Sequence, residues 1–76
     1  MFDFYVYTVE FLDTKEHVYL EFALLAPDIE SAIETAKEKA YKMISENKIV
    51  IRYVSVKNDE EQYMYNVLTK KLEKWY

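Results

Sequence analysis

Residues 16–45 read EHVYLEFALLAPDIESAIETAKEKAYKMIS, and the spacing of their apolar side chains changes at Pro27. Before the proline, every second residue is apolar, which is the period of a half-buried β-strand. These apolar positions are Val18, Leu20, Phe22 and Leu24. Proline cannot continue the hydrogen-bond ladder of a strand, so the pattern predicts a strand over residues 16–25 that stops at Pro27.

After Pro27 the apolar spacing becomes that of an α-helix. Asp28 is a good N-cap, because its carboxylate can accept hydrogen bonds from the free N–H groups of the first helical turn. An apolar stripe with a spacing of three to four residues follows: Ile29, Ala32, Ile33, Ala36, Ala40, Met43 and Ile44. We therefore expect an amphipathic helix over residues 28–45 that ends within residues 46–48 and packs its alanine-rich side on a sheet.

The segments on either side of this stretch favour strands. Residues 2–12, FDFYVYTVEFL, are rich in aromatic and β-branched side chains, which are enriched in strands. The polar segment Asp13-Thr14-Lys15 has the length of a hairpin turn, so residues 2–25 are predicted to form an antiparallel hairpin. Residues 49–56, IVIRYVSV, are predicted to form a further strand on their β-branched content.

The C-terminal residues fit two secondary structures. As strands, Tyr63, Tyr65 and Val67 alternate, with turns at residues 58–60 and 69–71. As a helix over residues 59–75, the segment offers Asn58 as N-cap and an apolar stripe that ends at Trp75. The predicted fold class is α+β in the order β-β-α-β-β-β, a curved antiparallel sheet with one amphipathic helix on one face. The alternative is β-β-α-β-α.

Composition narrows the functional classes. The chain has 76 residues, which is enough for a single domain, and a net charge of −4. It has no cysteine and one histidine, which leaves no disulfide and no thiolate metal site. It also has no glycine, and phosphate-binding loops need glycine for the close approach of backbone to ligand. We expect neither a cofactor nor an enzymatic activity.

The sequence also bears on location. No apolar run approaches the ~20 residues that a membrane helix needs, and the start of the chain lacks the basic and apolar regions of a secretion signal. The expected location is therefore cytoplasmic, in a host cell if the protein is viral, and no membrane partner is expected.

Eight tyrosines indicate a binding surface. One helix can cover only one face of a sheet, and tyrosine is enriched in the hot spots of protein interfaces. We expect a tyrosine-bearing uncovered face composed of Tyr5, Tyr7, Tyr19, Tyr53, Tyr63 and Tyr65. The alternatives are that these residues only fill both faces of the sheet, or that they stack on nucleic-acid bases.

Two further features extend this candidate interface. Asp59, Glu60 and Glu61 form the densest acidic segment, which suits either a basic protein partner or a solvated turn. Trp75 could either anchor a protein interface or close the core.

Nucleic acid is disfavoured as a partner, because Arg52 is the single arginine and the net charge is negative. The expected partner is a larger protein with a basic surface, or a second copy of the chain.

In length, acidity and element order, the chain resembles small proteins carried by viruses and other mobile elements, in particular those of the anti-CRISPR type. The resemblance is carried by the strand at residues 5–11, the helix at residues 28–45 and the tail at residues 63–75 with its lysines and Trp75. It implies an inhibitor that binds a host nucleoprotein complex and acts by steric occlusion. A homodimeric structural or regulatory domain and a weak nucleic-acid-binding accessory protein are the alternatives.

Overall fold

A computed structural model describes residues 3–47 and 49–75. The elements in chain order are β1 (Tyr5–Leu12), β2 (Val18–Ala26), α1 (Ile29–Asn47), β3 (Tyr53–Lys57), β4 (Gln62–Asn66) and β5 (Lys71–Lys74). The strands form one antiparallel sheet in the order β2-β1-β3-β4-β5, and α1 packs on one face of it. The predicted α+β fold is confirmed, whereas the alternative of a C-terminal helix is wrong.

Several boundaries differ from the prediction: β2 spans Val18–Ala26 rather than residues 16–25, and the last turn occupies residues 67–70 rather than 69–71. The strand expected over residues 49–56 begins only at Tyr53, although the Arg52 amide already donates a hydrogen bond to the Leu12 carbonyl at 2.8 Å. The helix ends at Asn47, within the predicted range of residues 46–48, and the Asp28 cap is confirmed because the Ser31 amide donates to its carboxylate at 2.7 Å. Residues 2 and 48, which the predicted elements include, lie outside the described residues, as do residues 1 and 76.

The pairing register assigns the residues of each strand to a face. Val9 of β1 lies between Phe22 of β2 and Val56 of β3, so these side chains share the face that carries α1. The two phenylalanine rings Phe11 and Phe22 meet edge to face with 5.4 Å between their centroids. The buried core consists of Tyr7, Val9, Phe11, Ala26, Ala32, Ile33, Ala36, Ala40, Ile51, Val54, Val56 and Tyr65.

Each hairpin turn is built around an Asp or Asn side chain rather than a glycine. Asp13 accepts hydrogen bonds from the amides of Lys15 and His17, and Asn58 accepts from those of Glu60 and Glu61. The β4–β5 turn has the same arrangement around Asn66. Asp and Asn carboxyl and amide oxygens close such turns locally, which explains how a glycine-free chain makes three hairpins.

Candidate functional site: an acidic and aromatic cleft

The tyrosines do not form the single uncovered face that the sequence predicts. Tyr7 is 4% exposed and Tyr65 is 5% exposed, and both belong to the core between sheet and helix. Tyr7 shares its side of β1 with Val9 and Phe11, and the β4 register puts Tyr65 beside Val54. The prediction that Tyr7 and Tyr65 contribute to an exposed interface is therefore corrected: α1 covers them.

The other predicted aromatic residues are spread over the molecule. Tyr63 is half-buried on the helix face, where the Lys74 ammonium lies 5.8 Å from its ring centroid. Tyr53 and Trp75 lie on the helix-free face, and Trp75 is 54% exposed rather than part of the core. Tyr19 is exposed at a register irregularity near the β1–β2 turn. These four residues do not adjoin Tyr5.

The centre of the helix-free face is polar. The Lys57 ammonium lies 3.2 Å from a carboxylate oxygen of Glu10, and the Gln62 amide nitrogen lies 3.0 Å from the Ser55 hydroxyl. Ser55 is fully buried, so this pairing satisfies a polar group that would otherwise be costly to bury. The face left open by the helix is therefore not the aromatic platform that the composition indicates.

The structure instead brings the predicted acidic segment against the start of β1. A cleft of about 720 Å³ opens at this end of the sheet. We call it the acidic–aromatic cleft. Its lining residues are Tyr5, Val6, Tyr7, Pro27, Asp28, Ile29, Asn58, Asp59, Glu60 and Glu61. Five of these residues, namely Tyr5, Tyr7, Asp59, Glu60 and Glu61, belong to the interface predicted from the sequence.

The topology explains why these three segments converge. The ladder between β1 and β3 ends with the pair Thr8 and Lys57, so the β3–β4 turn at residues 58–61 lies beside the residues that precede Thr8. The ladder between β1 and β2 ends with the pair Tyr5 and Ala26, and the chain then enters α1 through Pro27. One end of β1 is thus flanked by an acidic turn on one side and by a helix N-terminus on the other.

The cleft is uniformly acidic in the part of the chain that the structure describes. Its ten lining residues include four carboxylates and no lysine, arginine or histidine. Within that part, the ion pairs join Lys37 to Glu34 and Lys57 to Glu10, and neither involves a cleft carboxylate. Like charges that are not neutralised by a neighbour leave a negative potential that favours a cation.

Tyr7 is both buried and close to these carboxylates. Burial raises the pKa of the Tyr7 hydroxyl above its usual value, and the charges of Asp28 and Glu61 raise that pKa further. The hydrogen bond from the Ser31 amide lowers the pKa of the Asp28 carboxyl, which keeps this carboxylate charged at neutral pH. Asp28 therefore contributes a negative charge to the cleft.

The cleft also has exposed aromatic and aliphatic side chains. Tyr5 is 55% exposed and Val6 is 60% exposed, and Phe4 and Leu25 beside them are also exposed. Exposed apolar groups next to charges of one sign are typical of binding surfaces.

Comparisons with protein-family models, curated proteins and solved structures found no match to this chain.

Two further observations concern the class of ligand. In residues 3–47 and 49–75, no group of three His, Asp or Glu side chains converges closely enough to hold a metal ion. In the same residues, no helix is long and apolar enough to cross a membrane. What the cleft offers chemically is a tyrosine ring and four carboxylates, which suits the side chains of lysine and arginine.

Sequence reasoning missed several members of the cleft. Val6, Pro27 and Ile29 contribute apolar lining, and Asp28 contributes charge in addition to its role as a cap. The exposure of Val6 could have been predicted from the sequence. Val6 lies on the same side of β1 as Thr8 and Glu10, and this side faces away from the helix. The proximity of residues 58–61 to Tyr5 depends on strand order, which no local pattern encodes.

Proposed function

We propose that this protein is a non-enzymatic protein-binding module whose acidic–aromatic cleft binds a basic segment on the surface of a larger protein. The observation that carries the proposal is the exposed Tyr5 ring beside four carboxylates without a basic neighbour in the cleft lining. A lysine or arginine side chain can lie over a tyrosine face while its charge pairs with carboxylates.

The absence of an enzymatic role is part of the proposal. Acid–base or nucleophilic catalysis needs a positioned pair of groups in a pocket that excludes water. Three of the four carboxylates of the cleft, Asp59, Glu60 and Glu61, lie on the β3–β4 turn, and the residues that line the cleft supply no histidine, cysteine or lysine. Their chemistry is suited to recognition of charge.

The mode of action that we propose is steric occlusion. A basic protein surface is commonly one that binds phosphate groups of a nucleic acid. A small domain that presents carboxylates to such a surface would compete with the nucleic acid for the same lysines and arginines. This is the type of inhibition implied by the resemblance to small virus-encoded proteins, and it requires a partner that belongs to a nucleoprotein complex.

The proposal is tested by affinity capture from the native cell with three baits. The first is the wild-type chain, and the second is the cleft variant Asp59→Asn, Glu60→Gln and Glu61→Gln. The third is a charge-matched control, Glu16→Gln, Glu38→Gln and Glu73→Gln, whose three positions are exposed and lie outside the cleft. Circular dichroism establishes that all three baits are folded.

We expect the wild-type and control baits to retain the same basic protein and the cleft variant to lose it. Added nucleic acid should release that protein from the wild-type bait, because both ligands would occupy one surface. Equal retention by all three baits would refute the role of the cleft. Direct retention of nucleic acid by the purified chain at low salt would support the nucleic-acid-binding alternative instead.

A further inference from the structure

Strand β1 extends beyond the strand that pairs with it on one side. Its ladder with β2 begins at Tyr5, whereas its ladder with β3 ends at the pair Thr8 and Lys57. The chain then leaves β1 and turns through residues 58–61 into β4. Among the described residues, residues 5–7 of β1 therefore have a paired strand on the β2 side and none on the β3 side.

The backbone groups of Val6 point to this open side. The Leu12 carbonyl accepts a hydrogen bond from the Arg52 amide at 2.8 Å, so Leu12 directs its backbone groups toward β3. An antiparallel strand directs the N–H and C=O groups of alternate residues to the same neighbour, so Thr8 and Val6 direct theirs to the same side as Leu12. Thr8 is paired there with β3. No backbone hydrogen bond joins Val6 to the described residues 58–61.

The acidic–aromatic cleft lies along this unpaired edge. Tyr5, Val6 and Tyr7 all line it, although successive side chains of a strand point to opposite faces of the sheet. What three consecutive strand residues share is the edge of their backbone. The cleft therefore follows the edge of β1 rather than one face of the sheet, and residues 58–61 form its wall where β3 ends.

We infer that the cleft binds its ligand as an extended strand that pairs with residues 5–7 of β1, an inference that rests on the proposed function. The ligand backbone would exchange hydrogen bonds with Val6, as β3 does with Thr8. Addition of a strand to an open sheet edge is a recurring mode of peptide recognition, in which main-chain hydrogen bonds give affinity and side chains give specificity. The interior of an α-helix has no unpaired N–H or C=O groups to offer such an edge.

The acidic turn determines the orientation of the ligand. A ligand antiparallel to β1 continues the direction of β3, so its N-terminal end lies next to the turn at which β3 ends. Arginine or lysine at that end would lie beside the carboxylates of Asp59, Glu60 and Glu61. A parallel ligand would bring its C-terminal end to the turn, and parallel pairing is slightly less stable per residue. We therefore expect an antiparallel ligand whose basic residues precede the paired segment.

The ligand residue opposite Val6 should be apolar. Val6 pairs with Leu25 on its β2 side, and both side chains are exposed. Residues that oppose each other in neighbouring strands place their side chains on the same face, so the ligand residue would lie beside these two apolar groups. The segment that the cleft recognises is therefore basic at its N-terminal end and continues with a β-branched or other apolar residue.

The orientation is tested with two hexapeptides of one composition, both acetylated and amidated. The forward peptide is Arg-Arg-Val-Thr-Val-Thr, and the reversed peptide is Thr-Val-Thr-Val-Arg-Arg. Each is titrated into the ¹⁵N-labelled chain and followed by NMR. We expect the forward peptide to bind roughly fivefold more tightly or better, because only its arginines lie beside the turn in the antiparallel orientation. Hydrogen exchange of the Val6 amide should slow roughly tenfold at saturation, whereas the amides of Tyr5 and Tyr7 face β2 and should change little.

N-methylated peptides separate strand pairing from charge. Methylating one peptide nitrogen of the forward peptide removes one donor and keeps both arginines. We expect binding to weaken roughly tenfold at positions whose N–H faces β1 and to change little at the positions between them. Equal binding of all N-methylated peptides, or no preference for the forward peptide, would overturn the inferred strand, while loss of binding in the cleft variant would still support the proposed function. If neither peptide shifts the amides of the cleft residues, both the inference and the proposed function are overturned.

Discussion

The hydroxyl oxygens of Tyr41 and Tyr65 lie 2.8 Å apart and join helix α1 to strand β4. The two rings meet edge to face with 6.5 Å between their centroids, and the Lys37 ammonium lies 4.7 Å from the centroid of Tyr65. Tyr65 is thereby held in the core by three contacts from the helix. Its aromatic character serves the packing of the helix on the sheet rather than the binding of a partner.

Removing the Tyr41 hydroxyl should therefore destabilise the fold. In Tyr41→Phe, the buried Tyr65 hydroxyl loses the partner that it has in the structure, and we expect a loss of about 1 kcal/mol in the free energy of unfolding. Tyr19→Phe is the control, because Tyr19 is more than half exposed. Urea denaturation followed by circular dichroism measures both. Equal stability of the two variants would show that the hydrogen bond does not contribute.

The same pair predicts a loss of stability at alkaline pH. Burial, followed by the hydrogen bond to Tyr41, raises the pKa of Tyr65 to about 12 from an ordinary value of 10.0. A tyrosine in the unfolded chain therefore ionises first, so the contribution of Tyr65 is fully present below pH ~10 and is lost as the pH rises toward 12. Tyr65→Phe should lose less stability over this interval than the wild type. Identical pH profiles would contradict the assignment.

Local sequence patterns were sufficient for the elements of the fold. The change of period at Pro27 and the Asp28 cap predicted the second strand and the helix. Polar segments predicted the first two turns, whereas the last turn was placed at residues 69–71 and its closing residue, Asn66, was missed. The C-terminal strands could be preferred over a helix because Tyr63 and Tyr65 alternate. Such patterns depend on neighbours along the chain, which is why they could be read without knowing the strand order.

The faces of the sheet were predicted less well. In β1, Tyr5 and Tyr7 share a side with Val9, while Thr8 and Glu10 mark the open side, so the sequence did contain the signal that Tyr7 is buried. The side of β4 that faces the helix depends on its pairing with β3, which is a long-range property. The acidic–aromatic cleft depends on the same pairing and could not be assembled from the sequence.

Lys70 offers a test of the glycine-free turns. It has a φ of 59° in the β4–β5 turn, a conformation in which a Cβ atom is strained by roughly 1–2 kcal/mol. Lys70→Gly relieves that strain but adds freedom to the unfolded chain, so we expect a net gain of up to about 1 kcal/mol. Lys71→Gly, at an extended position of β5, should instead be destabilising. Thermal unfolding distinguishes the two, and a destabilised Lys70→Gly would contradict the strain argument.

The Asp28 cap predicts a specific acid response. The hydrogen bond from the Ser31 amide lowers the folded-state pKa of Asp28, so its charge contributes stability above the unfolded pKa of about 4, and this is lost as the pH falls through the folded value. Asp28→Asn keeps an acceptor oxygen without the charge. It should be less stable than the wild type at neutral pH and equally stable in strong acid. A constant difference at every pH would contradict this account.

The central claim is that the acidic–aromatic cleft recognises basic side chains. It is tested most directly by titrating the ¹⁵N-labelled chain with an arginine-rich peptide and following its amide chemical shifts by NMR. The account predicts shifts concentrated at Tyr5, Val6 and residues 59–61, with roughly tenfold weaker binding for the cleft variant and unchanged binding for the charge-matched control. Shifts spread over all acidic surfaces, with equal weakening in both variants, would contradict it.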